Sequence, residues 1–467
     1  MPEPGKFVSY WIDSTPATGY PSLDGPASVD VAVVGGGIVG VTAAYLLKQE
    51  GLTVALIERG SIATGVTGYT TAKVTSSHNL IYSDLVRSFG EDGARTYGRS
   101  NEAALEKIAE LTETLGIDCD FERADNFVYT EDPGSVARIQ EEADVAARLG
   151  LPASFTTETE LPFPVLGAVR FANQAQFNPR KYLLALAERI DGDGSHVFED
   201  TVVTGVDEGH PCDVQTGRGS LEATDVIVAT HMPILDRGLF FTKVHPYRSY
   251  AIAGDVTADK IPRGMYISTG GSTRSLRSIA DGDNRLLLVG GEGHRTGTDP
   301  DTIKFYDRLE AWANERYGME APRYRWATQD NVSVDKVPYV GRLTRGSDHV
   351  FTATGFGKWG MTNGTLSAVI LTDRIVGRAN EWAALYDSKR LKPAAAAQRF
   401  LTENGEVAAH FVGDRFAHGS NPRCTHLGCV LRKNTGEGTW DCPCHGSRFD
   451  ADGNVIQGPA ISPLKKG

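Results

Sequence analysis

The chain of 467 residues has no apolar run near the roughly 18 residues that a membrane-crossing helix needs. Basic residues are in deficit: 47 Lys and Arg stand against 59 Asp and Glu, a net charge of −12. That balance favours solubility and argues against a nucleic-acid partner, and no basic stripe with interleaved aromatics offsets it. The first residues, Met1-Pro2-Glu3-Pro4-Gly5-Lys6, lack the basic and apolar regions of a signal peptide. A soluble, cytoplasmic protein without a membrane span is the expectation. No internal repeat is visible, and the length suits about three domains. Cysteine is scarce, with six in the chain, yet four of them fall within the last fifty residues.

Those four lie in two short boxes, Cys424-Thr425-His426-Leu427-Gly428-Cys429 and Cys442-Pro443-Cys444-His445-Gly446-Ser447. Each box offers a thiolate and an imidazole at fixed short spacing. Two thiolates and two neutral imidazoles suit a [2Fe–2S] cluster with two cysteines on one iron and two histidines on the other. Tetrahedral zinc would accept the same donors but has no use for the two extra cysteines. The boxes resemble the Rieske family. The resemblance implies Cys424 and Cys442 on one iron, His426 and His445 on the other, and a disulfide between Cys429 and Cys444. It also implies a hydroxyl donor to the cluster at Ser447. Phe449 stands where high-potential members carry a tyrosine, so an intermediate potential is expected within the family span of roughly −150 to +300 mV. Cys119 and Cys212 are isolated and read as buried residues.

At the other end, the apolar strand pattern Val29–Val34 runs into Gly35-Gly36-Gly37-Ile38-Val39-Gly40 and then into helical spacing. Glycines 35, 37 and 40 fit the dinucleotide fingerprint: tight turn, close approach to a pyrophosphate, and helix packed on strand. A helix N-terminus would offer its unpaired N–H groups to the phosphates. Glu58 ends the next strand pattern, where an acid accepts ribose hydroxyls. Gly290-Gly291-Glu292-Gly293 also follows a strand pattern, but no third glycine or acid-ended strand follows at the right distance. No second nucleotide domain is expected.

The hydroxyl-rich stretch Gly60–Lys73 resembles the flavin-wrapping loop of D-amino-acid oxidase and glycine oxidase relatives. Thr201–Val206, Asp225–Thr230, Asp335–Gly341 and Thr354–Thr362 resemble further segments of that superfamily, over roughly residues 28–380. The resemblance implies FAD. Expected contacts come from Gly35, Gly37, Ile38, Val39, Gly40, Glu58 and Arg59, and from Thr67, Gly68, Thr71, Ala72 and Lys73 of the loop. Others come from Val203, Thr230, Gly355, Gly357, Lys358, Gly360, Met361 and Thr362, where N–H groups at a helix start would face the flavin ring.

The implied fold is α/β: a Rossmann-like FAD-binding domain from 28–95, 160–235 and 325–380, and a mixed-sheet substrate domain from 96–159 and 236–324. A linker at 381–400 leads to a small all-β Rieske-type domain at 401–467, with a shortened base before the first box. Helices are expected over 101–115 and 135–149, and strands near 243–252 and 285–290.

The expected reaction removes hydride from the carbon of a small amine or amino acid to FAD, and the electrons then leave singly through the cluster to an external acceptor. Arg248 and Arg277 are candidates to clamp a substrate carboxylate, with Tyr250 or His245 as hydrogen-bond partners. Pairing of these arginines with carboxylates of their own domain is the alternative. Lys358 is either a cation beside the flavin or a solvated turn lysine. Trp326, Trp359 and His78 read as packing residues. A direct O2-using amine oxidase with a structural cluster, and an electron carrier or redox sensor without turnover, are the competing functions. Substrate, acceptor and oligomeric state are not encoded in these patterns.

Overall fold

The structure, a computed structural model, describes residues 5–390, 404–405 and 421–465. The expected linker from residue 391 onward, and most of the stretch between it and the first cysteine box, lie outside the described residues.

The strand Ala27–Val34 is apolar on both sides because it is central to a largely parallel sheet. It pairs in parallel with Val54–Ile57 on one flank and Ser220–Val228 on the other. Val350–Thr354 and His196–Phe198 extend the sheet outward, also in parallel. Successive residues enter opposite cores, Val31 and Val33 one, Ala32 and Val34 the other. The helices Ile38–Gln49 and Gly360–Ile375 pack on each other against this sheet.

A second, mixed sheet runs Tyr324–Ser333, Val244–Gly254, Asn284–Arg295, Arg274–Asp281, Met265–Ser268, Glu122–Thr130, Gly167–Gln176, Lys73–Val74. The helix Ile303–Tyr317 covers part of it. Three of its strands, Lys73–Val74, Gly167–Gln176 and Tyr324–Ser333, come from stretches the sequence reading placed with the flavin-binding part. Long antiparallel registers, such as Val244–Gly254 on Tyr324–Ser333, draw them across. The strand expected near 285–290 runs on through Gly291-Glu292-Gly293 to Arg295.

The helix expected at 101–115 begins much earlier and spans Tyr82–Thr114, kinked at Gly90. Its first N–H groups, those of Tyr82 and Ser83, donate to the buried carboxylate of Glu142 on the neighbouring helix Val136–Arg148. This cap comes from sixty residues away, so no local signal marks the helix start.

The C-terminal segment forms a four-stranded antiparallel sheet, Arg432–Asn434, Thr439–Asp441, Arg448–Phe449 and Val455–Gln457, over its own small core. No helix of the described residues is long and apolar enough to cross a membrane.

Candidate active site and cluster site

The glycine turn opens into a cavity of about 730 Å³. Gly35 has φ +112, and a Cβ there would lie 2.5 Å from the Ala229 carbonyl oxygen; one on Gly40 would lie 1.8 Å from the Gly35 carbonyl oxygen. The turn therefore tolerates no side chain at either point, as close packing of strand, turn and helix requires. Glu58 accepts hydrogen bonds from the N–H groups of Gly36 (2.7 Å) and Gly60 (3.0 Å). This fixes its carboxylate at the cavity wall with lone pairs left for ribose hydroxyls. The Ile38 N–H donates to the Thr67 hydroxyl at 3.1 Å, tying the flavin-loop segment to the helix start. The N-cap residues of this helix and of Gly360–Ile375, Gly37 and Trp359, give no side-chain cap, and Val39, Trp359, Gly360 and Met361 line the cavity. Two helix N-termini on one cavity, with an acid at the ribose position, fit a dinucleotide cofactor.

Of the expected contacts, Gly35, Gly37, Ile38, Val39, Glu58, Arg59, Thr67, Thr71, Lys73, Val203, Thr230, Gly357, Lys358, Gly360 and Met361 line this cavity. Gly40, Gly68, Ala72, Gly355 and Thr362 stand behind the wall instead. A Cβ on Gly68 would meet the Ala63 carbonyl at 2.4 Å, and Thr362 donates to the Thr75 carbonyl. Trp359 lines the cavity and stacks on buried His78, while Trp326 packs and donates to the Tyr69 carbonyl.

The cavity is also lined by Tyr250, Glu292, Phe305, Arg308, Asp330 and Lys358. Burial lifts the Asp330 carboxyl to about 6, with nearby Lys358 and Arg248 opposing the shift. Burial also lowers the Lys358 ammonium, with Asp330 opposing that shift. Lys358 adopts φ +77, a left-handed conformation that is strained for a side chain with a Cβ.

In the C-terminal domain, Cys429 and Cys444 form the disulfide that the Rieske resemblance implied. Cys424 and Cys442 are buried, unbridged and within hydrogen-bonding reach of each other. The Nδ1 atoms of His426 and His445 are buried and have no hydrogen-bond partner among the described residues. Two orphaned ring nitrogens beside two adjacent thiols are the donor set a two-cysteine, two-histidine cluster requires. Ser447 lies within hydrogen-bonding reach of Cys424 and accepts from the Ala460 N–H at 3.0 Å. Burial pushes His445 down to about 3, keeping it neutral as ligation demands.

The two halves meet along the cavity. Arg448, Ile456, Gln457 and Gly458 of the C-terminal domain form part of its wall. The Gln457 amide contacts His231 Nδ1 at 2.9 Å, and Gln329 donates to the Gly446 carbonyl at 2.7 Å. His426 Nε2 meets Asp236 at 2.8 Å, and the Phe241 ring lies 5.1 Å from that of His445. Gly446 has φ +79, and a Cβ there would come within 2.6 Å of Pro246 and Gln329.

Neither expected carboxylate clamp is free, and for Arg248 the docking is the reason. Arg248 is 1% exposed and pairs with Glu437, with Asp441 at 3.9 Å, both in the cluster domain. Arg277 is equally buried; it donates to the carbonyls of Thr71, Ala72 and Phe177 and lies over the Trp11 ring. A buried guanidinium needs partners, and here the protein supplies them. His245 is buried near His445 rather than in the cavity. Tyr250 does line the cavity, stacked on Phe305 and His294. Asp330, His231 and Gln457 were missed as cavity residues: Asp330 and His231 belong to no motif, and Gln457 lies in the stretch 454–460 that resembles the Rieske glycine-proline loop over the cluster, which says nothing of the flavin cavity.

Residues 30–374 match the FAD dependent oxidoreductase family of D-amino-acid oxidase type, and residues 381–466 match the Rieske [2Fe-2S] domain. The chain belongs to the FAD dependent oxidoreductase family. Its oxidoreductase domain binds FAD and its Rieske domain binds a [2Fe–2S] cluster, which sets the zinc reading aside. A Bacillus subtilis protein named for a Rieske 2Fe-2S centre, YhfW, is 33% identical, covering 98% of this chain and 97% of its own. The gamma-glutamylputrescine oxidoreductase of Escherichia coli is 24% identical over 78% of this chain and 88% of its own. Glycine oxidase from Geobacillus kaustophilus shares the fold with a TM-score of 0.65 at 18% identity, over 78% of this chain and 99% of its own.

Proposed function

We propose that this enzyme oxidises a C–N bond of a small amine or amino acid and passes the electrons, one at a time, through its Rieske centre to an external acceptor. The carrying observation is the shared wall: Arg448, Ile456, Gln457 and Gly458 of the cluster domain close the cavity into which the FAD glycines open. An appended domain with no electron-handling role would have no need to sit there. The relatives named for an amine and an amino acid support the substrate class.

Bound FAD supplies the hydride acceptor and the cluster a one-electron acceptor. The chain's own residues do the rest. The helix starts at Ile38 and Gly360 lie at the cavity wall, and Glu58 is set to receive ribose hydroxyls. Cys424, Cys442, His426 and His445 would hold the iron, with Ser447 donating toward Cys424. Tyr250 and Phe305 present apolar ring surface, and Arg448 closes the cluster side against water.

The test is anaerobic mixing of the holoenzyme with a panel of amines and amino acids, following flavin bleaching by absorbance and the iron by EPR. Bleaching followed by a reduced-cluster signal is expected. Bleaching with the iron left oxidised, together with aerobic peroxide release unchanged in Cys442→Ser, would instead identify a direct oxidase with a structural cluster. No bleaching by any compound would identify a carrier or sensor.

A further inference from the structure

Besides Glu58, Arg59 and Lys73, five charged side chains line the cavity: Arg308, Glu292, Arg448, Asp330 and Lys358. Three already have partners. Glu292 is held by Arg274 at 2.7 Å and by Arg308 at 3.2 Å. Arg448 pairs with Glu437 at 3.1 Å and Asp441 at 3.2 Å. Asp330 and Lys358 remain, and among the described residues neither side chain makes a hydrogen bond or an ion pair. They lie close enough to influence each other, yet they do not pair.

Asp330 is also held rigidly in place. It sits in the strand Tyr324–Ser333, registered opposite Tyr247, between two residues whose side chains are tied down. Gln329 bonds the Gly446 carbonyl and Thr296, and the Asn331 amide meets His231 at 3.2 Å. The carboxylate is half-buried, facing the cavity, and takes no donor from the described residues, so its lone pairs are open to a donor that a ligand brings. An anionic substrate would be repelled by it, and the arginines that could outweigh that repulsion, Arg248 and Arg277, are engaged elsewhere.

We propose that Asp330 is the recognition residue for a cationic nitrogen of the substrate, its carboxylate accepting the ammonium hydrogen bond that no protein group provides. This rests on the amine reading above and deepens it. Lys358 fixes the direction: the positive end of the ligand lies at Asp330, and any negative end points toward the lysine. The site thus selects a single ammonium or a zwitterion over an acid.

Three probes that share a tert-butyl group test this on the FAD- and cluster-loaded enzyme: tert-butylamine, tert-butanol and pivalate. None has a hydrogen on the carbon beside its functional group, so none can be dehydrogenated there. Binding is read as perturbation of the flavin absorption spectrum. In the wild type the ammonium should bind tighter than the alcohol or the acid. Asp330→Asn should weaken ammonium binding by about 10- to 100-fold, the factor carried by a charge-assisted hydrogen bond. The alcohol should be little affected, whereas general damage would weaken all three probes. Asp330→Glu should recover part of the loss, and Lys358→Met should tighten ammonium binding.

Equal ammonium affinity in wild type and Asp330→Asn, or tighter binding of pivalate than of ammonium in the wild type, overturns the assignment. If amines bleach the flavin yet the ammonium probe shows no Asp330 dependence, only the anchor falls. If the probe depends on Asp330 but no amine bleaches the flavin, only the catalytic reading falls.

Discussion

Replacing Arg248 with Met should loosen the cluster domain from the flavin domain while leaving both cofactor sites intact. Arg248 and Arg448 face Glu437 and Asp441 in a buried group of two positive and two negative charges. Losing Arg248 leaves one net negative charge. Breaking a buried pair costs about 3–5 kcal/mol. Here Arg448 remains on both carboxylates and Glu437 keeps 18% of its side chain exposed. The expected penalty is therefore about 2–3 kcal/mol, a factor of roughly 30–150 in the equilibrium for undocking. Amide hydrogen exchange can read this locally. The N–H groups of Thr435 and Gly436 donate across the interface to the Pro300 carbonyl and the Thr302 hydroxyl, and the Thr302 N–H donates to the Thr435 hydroxyl. Their exchange should accelerate by that factor in Arg248→Met. The double variant Arg248→Met/Glu437→Gln restores neutrality and should recover most of the protection, a non-additivity of about 1 kcal/mol or more. Exchange at these amides within threefold of wild type in the single variant would refute the reasoning.

Ser447→Ala removes the hydroxyl within reach of Cys424 and should lower the cluster midpoint by about 40–90 mV, one hydrogen bond's worth for a one-electron couple; an unchanged EPR-monitored titration would contradict it. Burial pushes His78 down to about 3 and His231 to about 4, against about 6.5 in an unfolded chain. Both pKa values are depressed on folding, so their contribution is complete above pH ~6.5 and is lost as pH falls toward about 4. The urea midpoint should drop over that window, and less steeply in His231→Asn; identical slopes for the two proteins would count against it.

What could be read in advance was chemistry carried by local spacing. Gly35, Gly37 and Gly40 with Glu58, and the two cysteine–histidine boxes, are short-range patterns whose geometry follows from the turn or loop that holds them. What could not be read depended on contacts between distant segments. Arg248 looks like a carboxylate clamp when only its strand is considered; its partners Glu437 and Asp441 lie nearly two hundred residues away and carry no mark of it. Arg277 likewise spends its donors on four backbone carbonyls, which no side-chain pattern records. Asp330 escaped notice for the opposite reason. A single acid in a strand has no motif, and its significance appears only once Glu292, Arg308 and Arg448 in the same cavity are seen to have partners.

Arg448 brings these contacts to one point. Its guanidinium lines the FAD cavity, pairs with Glu437 and Asp441, and through them meets Arg248. A cluster domain that swung out to deliver electrons would have to separate this charge group, the Gln329–Gly446 bond and the Gln457–His231 contact together. It would also open the substrate end of the cavity to water. The several kcal/mol held in these contacts oppose such a swing at each turnover. Under the proposed relay, the external acceptor is therefore met by the domain in its docked position, and the contacts that close the flavin chamber also keep the two redox centres adjacent.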